Sequence, residues 1–381
     1  MILHSAYLEH GTDGVDSLPS GLDSPDTLVL VFSGLGCQAV QGTVAAVRAA
    51  FPASQIMGCS TAGEVVGPTV RDGGVAVTVA RFERSPLTAA HVAVEDDGDS
   101  FAAGADLARR LASPSLAAVF LLSDGLQVNG SELLRGLDSV LGDGVVVTGG
   151  LAGDGDRFAR TWVVADGRPT RGRIAALGVH GDAVRVGHGS RGGWDVFGPT
   201  RLVTRSERNV VYELDGRSAL DLYQQYLGEL SEGLPGSGLL FPLAVREQAD
   251  DEEALVRTLL GVDHDQRSLR FAGDVPTGWN AQLMRANLDR LVDGAAGAAS
   301  ETADRAGGSE GGLGIAISCV GRRLVLKERV EEELEAVVAG LPAGTELAGF
   351  YSYGEISPVG SGRCGLHNQT MTLTTLSERP G

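Results

Sequence analysis

Two acidic turns carry the chemistry that stands out first. Met57-Gly58-Cys59-Ser60-Thr61-Ala62-Gly63-Glu64 and Gly349-Phe350-Tyr351-Ser352-Tyr353-Gly354-Glu355-Ile356 each leave an apolar stretch, pass through small residues and close on Gly-Glu. Glycine lets backbone N–H groups approach a ligand closely. The carboxylates of Glu64 and Glu355 can receive a ligand ammonium, or accept the N–H groups of their own loops. The candidate ligand-contacting set is Gly58, Cys59, Ser60, Thr61, Gly63 and Glu64 from the first turn and Tyr351, Tyr353, Gly354 and Glu355 from the second. His367 and Asn368 join it from Leu366-His367-Asn368-Gln369-Thr370-Met371. Tyr351 and Tyr353 alternate about Ser352, which puts both on one face of a strand, as a pocket rim or as core aromatics. The two Gly-Glu corners are expected to face one shared cavity.

Other chemistries are poorly served. Cys59 or Ser60 near Glu64 would suit a hydrolase or transferase, but neither a G-x-S-x-G elbow nor a Ser-His-Asp order is present. Cys364 and His367 have C-x-x-H spacing without the second pair a tetrahedral zinc needs. Gly187-His188-Gly189-Ser190-Arg191-Gly192 matches a dinucleotide fingerprint, yet Gly193-Trp194-Asp195-Val196-Phe197-Gly198-Pro199 follows where a helix must open. Lys327 is the only lysine among 31 basic residues, and Glu328 follows it. That excludes a Walker A loop and leaves Schiff-base chemistry no suitable amine.

The chain has 381 residues, 43% of them hydrophobic and 21% charged, with 55 glycines and only 5% aromatics. Those values describe a globular protein with Val/Ala/Leu cores and many tight turns, long enough for two packed units. A net charge of −18 repels phosphate backbones and anionic lipids, so neither nucleic acid nor membrane is an expected partner. Four scattered cysteines, no basic leader at 1–14 and no spanning apolar run together imply a cytoplasmic protein with free thiols.

Three segments share one grammar and must position the turns. An apolar run (28–32, 116–122, 314–317) reaches a small polar residue, a helix follows (38–51, 129–141, 330–340), and a second strand enters the Gly-rich corner. Ser33 to Gly58 and Ser123 to Thr148 have the same spacing, and Ser318 to Gly349 is wider. The first strands are continuously apolar, hence buried on both faces, and the helices at 102–111, 132–141 and 330–338 carry one apolar stripe. Asp166-Gly167 reads as a tight turn joining 161–165 to 174–179, and 294–312, rich in Ala, Gly and Ser, as a frayed helix end or surface loop. The fold class is mixed α/β: layered mixed sheets flanked by outer helices, in two domains with repeated β-α-β-β units. Their boundary is expected near Leu220, after an N-terminal segment at 1–26, giving units at 27–219 and 220–379.

The two acidic turns, with the stretch from Gly198-Pro199 to Glu213-Leu214-Asp215-Gly216-Arg217-Ser218-Ala219-Leu220, resemble the FIST family in family order. The resemblance implies paired N- and C-terminal FIST domains that sense a small molecule in the cytoplasm for a separate partner, not an enzyme. Some bacterial members are haem proteins reporting nitric oxide to a histidine kinase or a cyclic-dinucleotide enzyme. By that analogy haem is the cofactor to test, with His188 and His367 as axial candidates.

Overall fold

The computed structural model describes residues 1–95, 99–142, 144–249, 254–307, 311–359 and 363–379. Its helices are α1 (Cys37–Ala50), α2 (Ser100–Leu111), α3 (Gly130–Asp138), α4 (Ala219–Leu227), α5 (Leu288–Arg305), α6 (Val320–Leu326) and α7 (Val330–Gly340). Three mixed six-stranded sheets follow the three repeats. Each is built on a parallel pair: Thr27–Ser33 with Gln55–Ser60 across α1, Leu116–Ser123 with Val146–Leu151 across α3, and Gly312–Cys319 with Thr345–Ser352 across α6 and α7. An antiparallel strand flanks each pair, Val75–Arg81, Arg173–His180 and Met371–Glu378 in turn. The apolar first strands are buried along almost their full length, as their composition requires.

The hairpin after each repeat leaves its own sheet. Glu64–Val66 and Thr69–Arg71 extend the third sheet by pairing with Thr345–Ser352. Val163–Ala165 and Arg168–Thr170 extend the first, and Gly354–Val359 with Arg363–His367 extend the second. The three sheets thus exchange edges in a closed cycle. Where the corners meet, three backbone hydrogen bonds complete a ring: Gly153 N–H to Ser60 O (2.9 Å), Ala62 N–H to Tyr351 O (2.8 Å) and Tyr353 N–H to Leu151 O (3.2 Å). Edge exchange leaves few unpaired N–H groups and makes every sheet depend on another repeat.

The fourth sheet, of nine strands, lies between Asp195–Val196 and Asn280–Arg285. It is a separate body with its own core, in which α4 buries Leu220, Leu222 and Tyr223 against Val203, Leu269 and Phe271. A smaller apolar contact of Trp194, Ala244, Val256, Met284, Leu291, Val325 and Leu326 joins it to the three-sheet ring.

Two expectations need correction. Asp166-Gly167 closes the hairpin of Val163–Ala165 with Arg168–Thr170, whereas Arg173–His180 runs in a different sheet; the turn chemistry was sound but the partner strand is nearer. Of the two alternatives for the Ala/Gly/Ser stretch from 294, it is the helix end and not the surface loop, and it is packed, not frayed. It is continuous with α5 to Arg305 and buries Ala295, Ala298 and Ala299 (308–310 lie outside the described residues). Small residues let α5 lie close on the strand Val184–Arg191, and the decoy glycines serve this contact. A Cβ on Gly187 would collide with Thr302 O, and one on Gly189 with Ala298 O.

Candidate functional site

Each acidic corner is tied first to itself. Thr61 Oγ1 donates to Glu64 Oε1 (2.5 Å), and Ser352 Oγ donates to Glu355 Oε1 (2.7 Å), a hydroxyl three residues before the acid in both cases. Glu64 Oε1 also accepts Gly34 N–H (2.6 Å). Glu355 Oε2 accepts both Thr370 N–H (3.1 Å) and Thr370 Oγ1–H (2.9 Å). Burial outweighs these donors and pushes the Glu64 carboxyl up to about 7 and that of Glu355 up to about 8. In the second repeat Asp154 holds the same place, accepting Ala159 N–H (3.0 Å), Arg160 N–H (2.8 Å) and the Tyr353 hydroxyl. Glu64 and Glu355 therefore do not face a common hollow. Each closes its own corner of the ring.

The other candidate residues disperse. Gly58 lies inside Gln55–Ser60, and Cys59 is packed among Leu28, Phe32 and Val163 with its thiol well above the ordinary range through burial. Ser60 Oγ accepts Trp162 N–H (3.0 Å), and Gly63, at φ 132°, packs under Arg323. Tyr351 ends up away from Tyr353, because the strand stops at Ser352. The Tyr351 hydroxyl donates to Glu333 Oε1 (2.6 Å), while Tyr353 stacks on Phe158 (centroids 4.5 Å apart). Gly354 opens the strand after the corner, and Asn368, wholly buried, has neither carboxamide atom hydrogen-bonded. His367 Nε2 meets Ser357 O (3.1 Å), so that nitrogen carries the proton; burial holds the ring at about 4.

Of this set only His367 lines the cleft between the two bodies, a concavity of about 1670 Å³ bounded by α5, the segment 190–196, the strands Leu243–Arg246 and Asn280–Arg285, Leu255–Arg257, Thr370 and His367. Its lining includes Arg191, Arg246, Arg285, Arg290 and Arg305, facing Asp195, Asp293, Glu301 and Asp304. Arg290 pairs with Asp195, and Arg191 and Arg305 pair with Glu301. Arg246 and Arg285 have no ion-pair partner among the described residues. With five arginines against four carboxylates the lining is close to neutral, and Arg246 and Arg285 are its guanidinium groups without an ion pair among the described residues.

Haem fits these residues poorly. An axial nitrogen must point into an apolar slot, whereas His367 sits in this charged cleft with Nε2 engaged. His188, also held at about 4 by burial, lies against the Arg305 guanidinium. Among the described residues no group of three or more His, Cys, Asp or Glu could hold a metal, and no helix is long and apolar enough to cross a membrane.

Four buried charged residues carry no signal in a motif. Arg322 and Glu333 form a pair with no exposed surface (Nη2 to Oε2, 2.7 Å), and Ser318 Oγ also donates to Glu333. Glu333 sits among exposed acids of α7, so no sequence signal marked it as inward. Arg257 is buried on the opposite body, with its guanidinium on the carbonyls of Asp274, Val256 and Leu366. Asp124 accepts four donors, from Leu126, Gln127, Thr161 and Gly172; its Ser-Asp-Gly context was the available clue.

Ligand sites occur preferentially at the junction of two domains, which is where this cleft lies. The chain belongs to the FIST family: residues 27–217 match the FIST N domain and 219–358 the FIST C domain. FIST domains are sensory, non-enzymatic domains of signal-transduction proteins. The chain is similar to proteins described as uncharacterized from Mycobacterium tuberculosis strains H37Rv and CDC 1551. Each is 26% identical over 364 residues, covering 92% of this chain and 91% of the relative.

Proposed function

We propose that this protein binds a small molecule in the junction cleft and signals through a separate partner, such as a histidine kinase or a cyclic-dinucleotide enzyme. The observation that carries the reading is the position of the cleft: its walls belong to two bodies with separate cores, joined by a modest apolar contact and a few hydrogen bonds. A ligand touching both walls changes their relative population, which is all that a sensor needs. At about 1670 Å³ the cleft exceeds the roughly 300–1,000 Å³ of small-molecule sites. Its occupant therefore acts by drawing the walls together. Arg246 and Arg285 supply contacts for an anionic group. Four free cysteines support a reducing, cytoplasmic setting.

The test is a thermal-shift screen of the full chain against metabolites. A true ligand raises the Tm with the logarithm of its concentration above Kd, and the Arg246→Gln/Arg285→Gln double variant shifts the response to higher concentration. If hits persist unchanged in that variant, the cleft is not where they bind. An absorption spectrum of the purified protein tests the haem alternative separately: a Soret band that disappears in His367→Ala or His188→Ala would establish it.

A further inference from the structure

Residues 366–370 are bonded to both bodies at once. From the nine-strand side, Arg257 Nη1 donates to Leu366 O (3.1 Å), and Gln369 Nε2 donates to Leu239 O (3.3 Å). Trp194, on the cleft wall, donates its indole N–H to Gln369 O (2.8 Å). From the ring side, Thr370 holds Glu355 through both its N–H and its hydroxyl, and Cys319 N–H donates to Thr370 O (3.1 Å). His367 and Thr370 line the cleft itself.

Two features of this short segment oppose its present position. Gln369 has φ 62°, a left-handed conformation that a residue with a Cβ adopts at a cost. Asn368 is wholly buried with Nδ2 and Oδ1 both unpartnered, although a carboxamide can donate twice and accept twice. Ser357 Oγ and Gln369 Oε1 are likewise buried without partners. Ordinary loops are selected against such a cluster, and here it sits one residue behind the cleft wall. Strain retained next to a site of this kind is characteristic of elements that move.

We propose that residues 366–370 form a two-position strap that couples the cleft to the acidic corner of Glu355. In the position described here the strap bridges both bodies under strain. Closure of the nine-stranded sheet on a ligand draws it toward the cleft, gives Asn368 a polar partner, and withdraws two of the three donors from Glu355. The second half of this statement rests on the cleft being the ligand site; the strain does not.

The experiment needs no ligand. Asn368→Leu replaces the unpartnered carboxamide by an apolar group of similar size, so the Tm of the full chain rises by a few degrees. Hydrogen exchange by mass spectrometry of peptides covering 366–371 slows by about tenfold relative to the parent chain, because opening is the route of exchange. In the parent chain the same peptides exchange faster than those of Gly312–Cys319. A lowered Tm in Asn368→Leu would mean that the carboxamide is bonded in solution, and would overturn the strap. Equal protection of 366–371 and 312–319 in the parent chain overturns it without any variant. Either failure leaves the ligand reading standing, whereas an empty ligand screen with these results intact removes that reading alone.

Discussion

The corners closed by Glu64 and Glu355 share one local design and differ in what they hold. Both take a hydroxyl from three residues earlier, and both draw on an arginine of α6. Arg323, partly exposed, reaches Ala62 O and Asp72 beside Glu64, whereas Arg322, fully enclosed with Glu333, lies beside Glu355. Glu64 fastens the loop after Thr27–Ser33 through Gly34, a purely internal tie. Glu355 fastens Thr370, on the cleft wall. One corner is a clasp, and its counterpart is a clasp attached to a moving part. A repeated motif therefore predicts local hydrogen bonding well and functional role poorly.

The comparison can be broken most severely by separating the corners. They lie in different family domains, yet the hairpin that begins at Glu64 completes the sheet containing Thr345–Ser352, and Val184–Arg191 pairs with Met371–Glu378. A fragment of residues 1–218 is expected to show no cooperative thermal transition by circular dichroism. A sharp transition would refute the interlocked cycle.

Next in size is the contrast between the two arginines. Arg322→Ala strands a buried carboxylate and should cost about 3–5 kcal/mol in denaturant unfolding. Arg323→Ala breaks a partly exposed pair and should cost about 1 kcal/mol or less. Similar losses in the two variants would remove the distinction between the corners. Smaller again are Thr61→Ala and Ser352→Ala, each deleting a hydrogen bond to a buried carboxyl, with an expected loss of about 1–3 kcal/mol.

The smallest effect is in pH dependence. The folded-state pKa values, about 7 for Glu64 and about 8 for Glu355, lie above the ordinary 4.5. The folded chain thus binds more protons than the unfolded chain between these limits, and the stabilising contribution, complete below about 4.5, is lost as pH rises through 7 and 8. Glu355→Gln should flatten the loss between pH 7 and 8 by about 1 kcal/mol. An unchanged slope would place the Glu355 carboxyl outside that window.

Local pattern made much of this legible. Continuous apolar runs gave the buried first strands, one-sided apolar stripes gave the outer helices, and α7 occupies the residues its periodicity indicated. The repeat was visible because the three corners keep their Gly-acid ending in register. Partner choice was not visible. Nothing in Glu64–Val66 says that its neighbour is Thr345–Ser352 and not Gln55–Ser60, since pairing is decided by the packing of whole sheets. The motif marks its acids, and an inward, loop-closing role is one of the two its chemistry allows. Which residues line the cleft was not legible, because Arg246, Arg285 and α5 come from stretches that carry no motif, and Arg191 and Trp194 lie where the glycine fingerprint fails. The decoy glycines, Gly187 and Gly189, have a packing purpose that only the position of α5 reveals.

Hydrogen–deuterium exchange on the full chain, with and without the strongest stabilising compound from the thermal-shift screen, bears most directly on whether the junction cleft is the sensing site. Slowed exchange should fall in 190–196, 284–305 and 366–370, on both walls at once. Slowing confined to 33–37, 124–127 or 154–161, with the cleft walls unchanged, would contradict it.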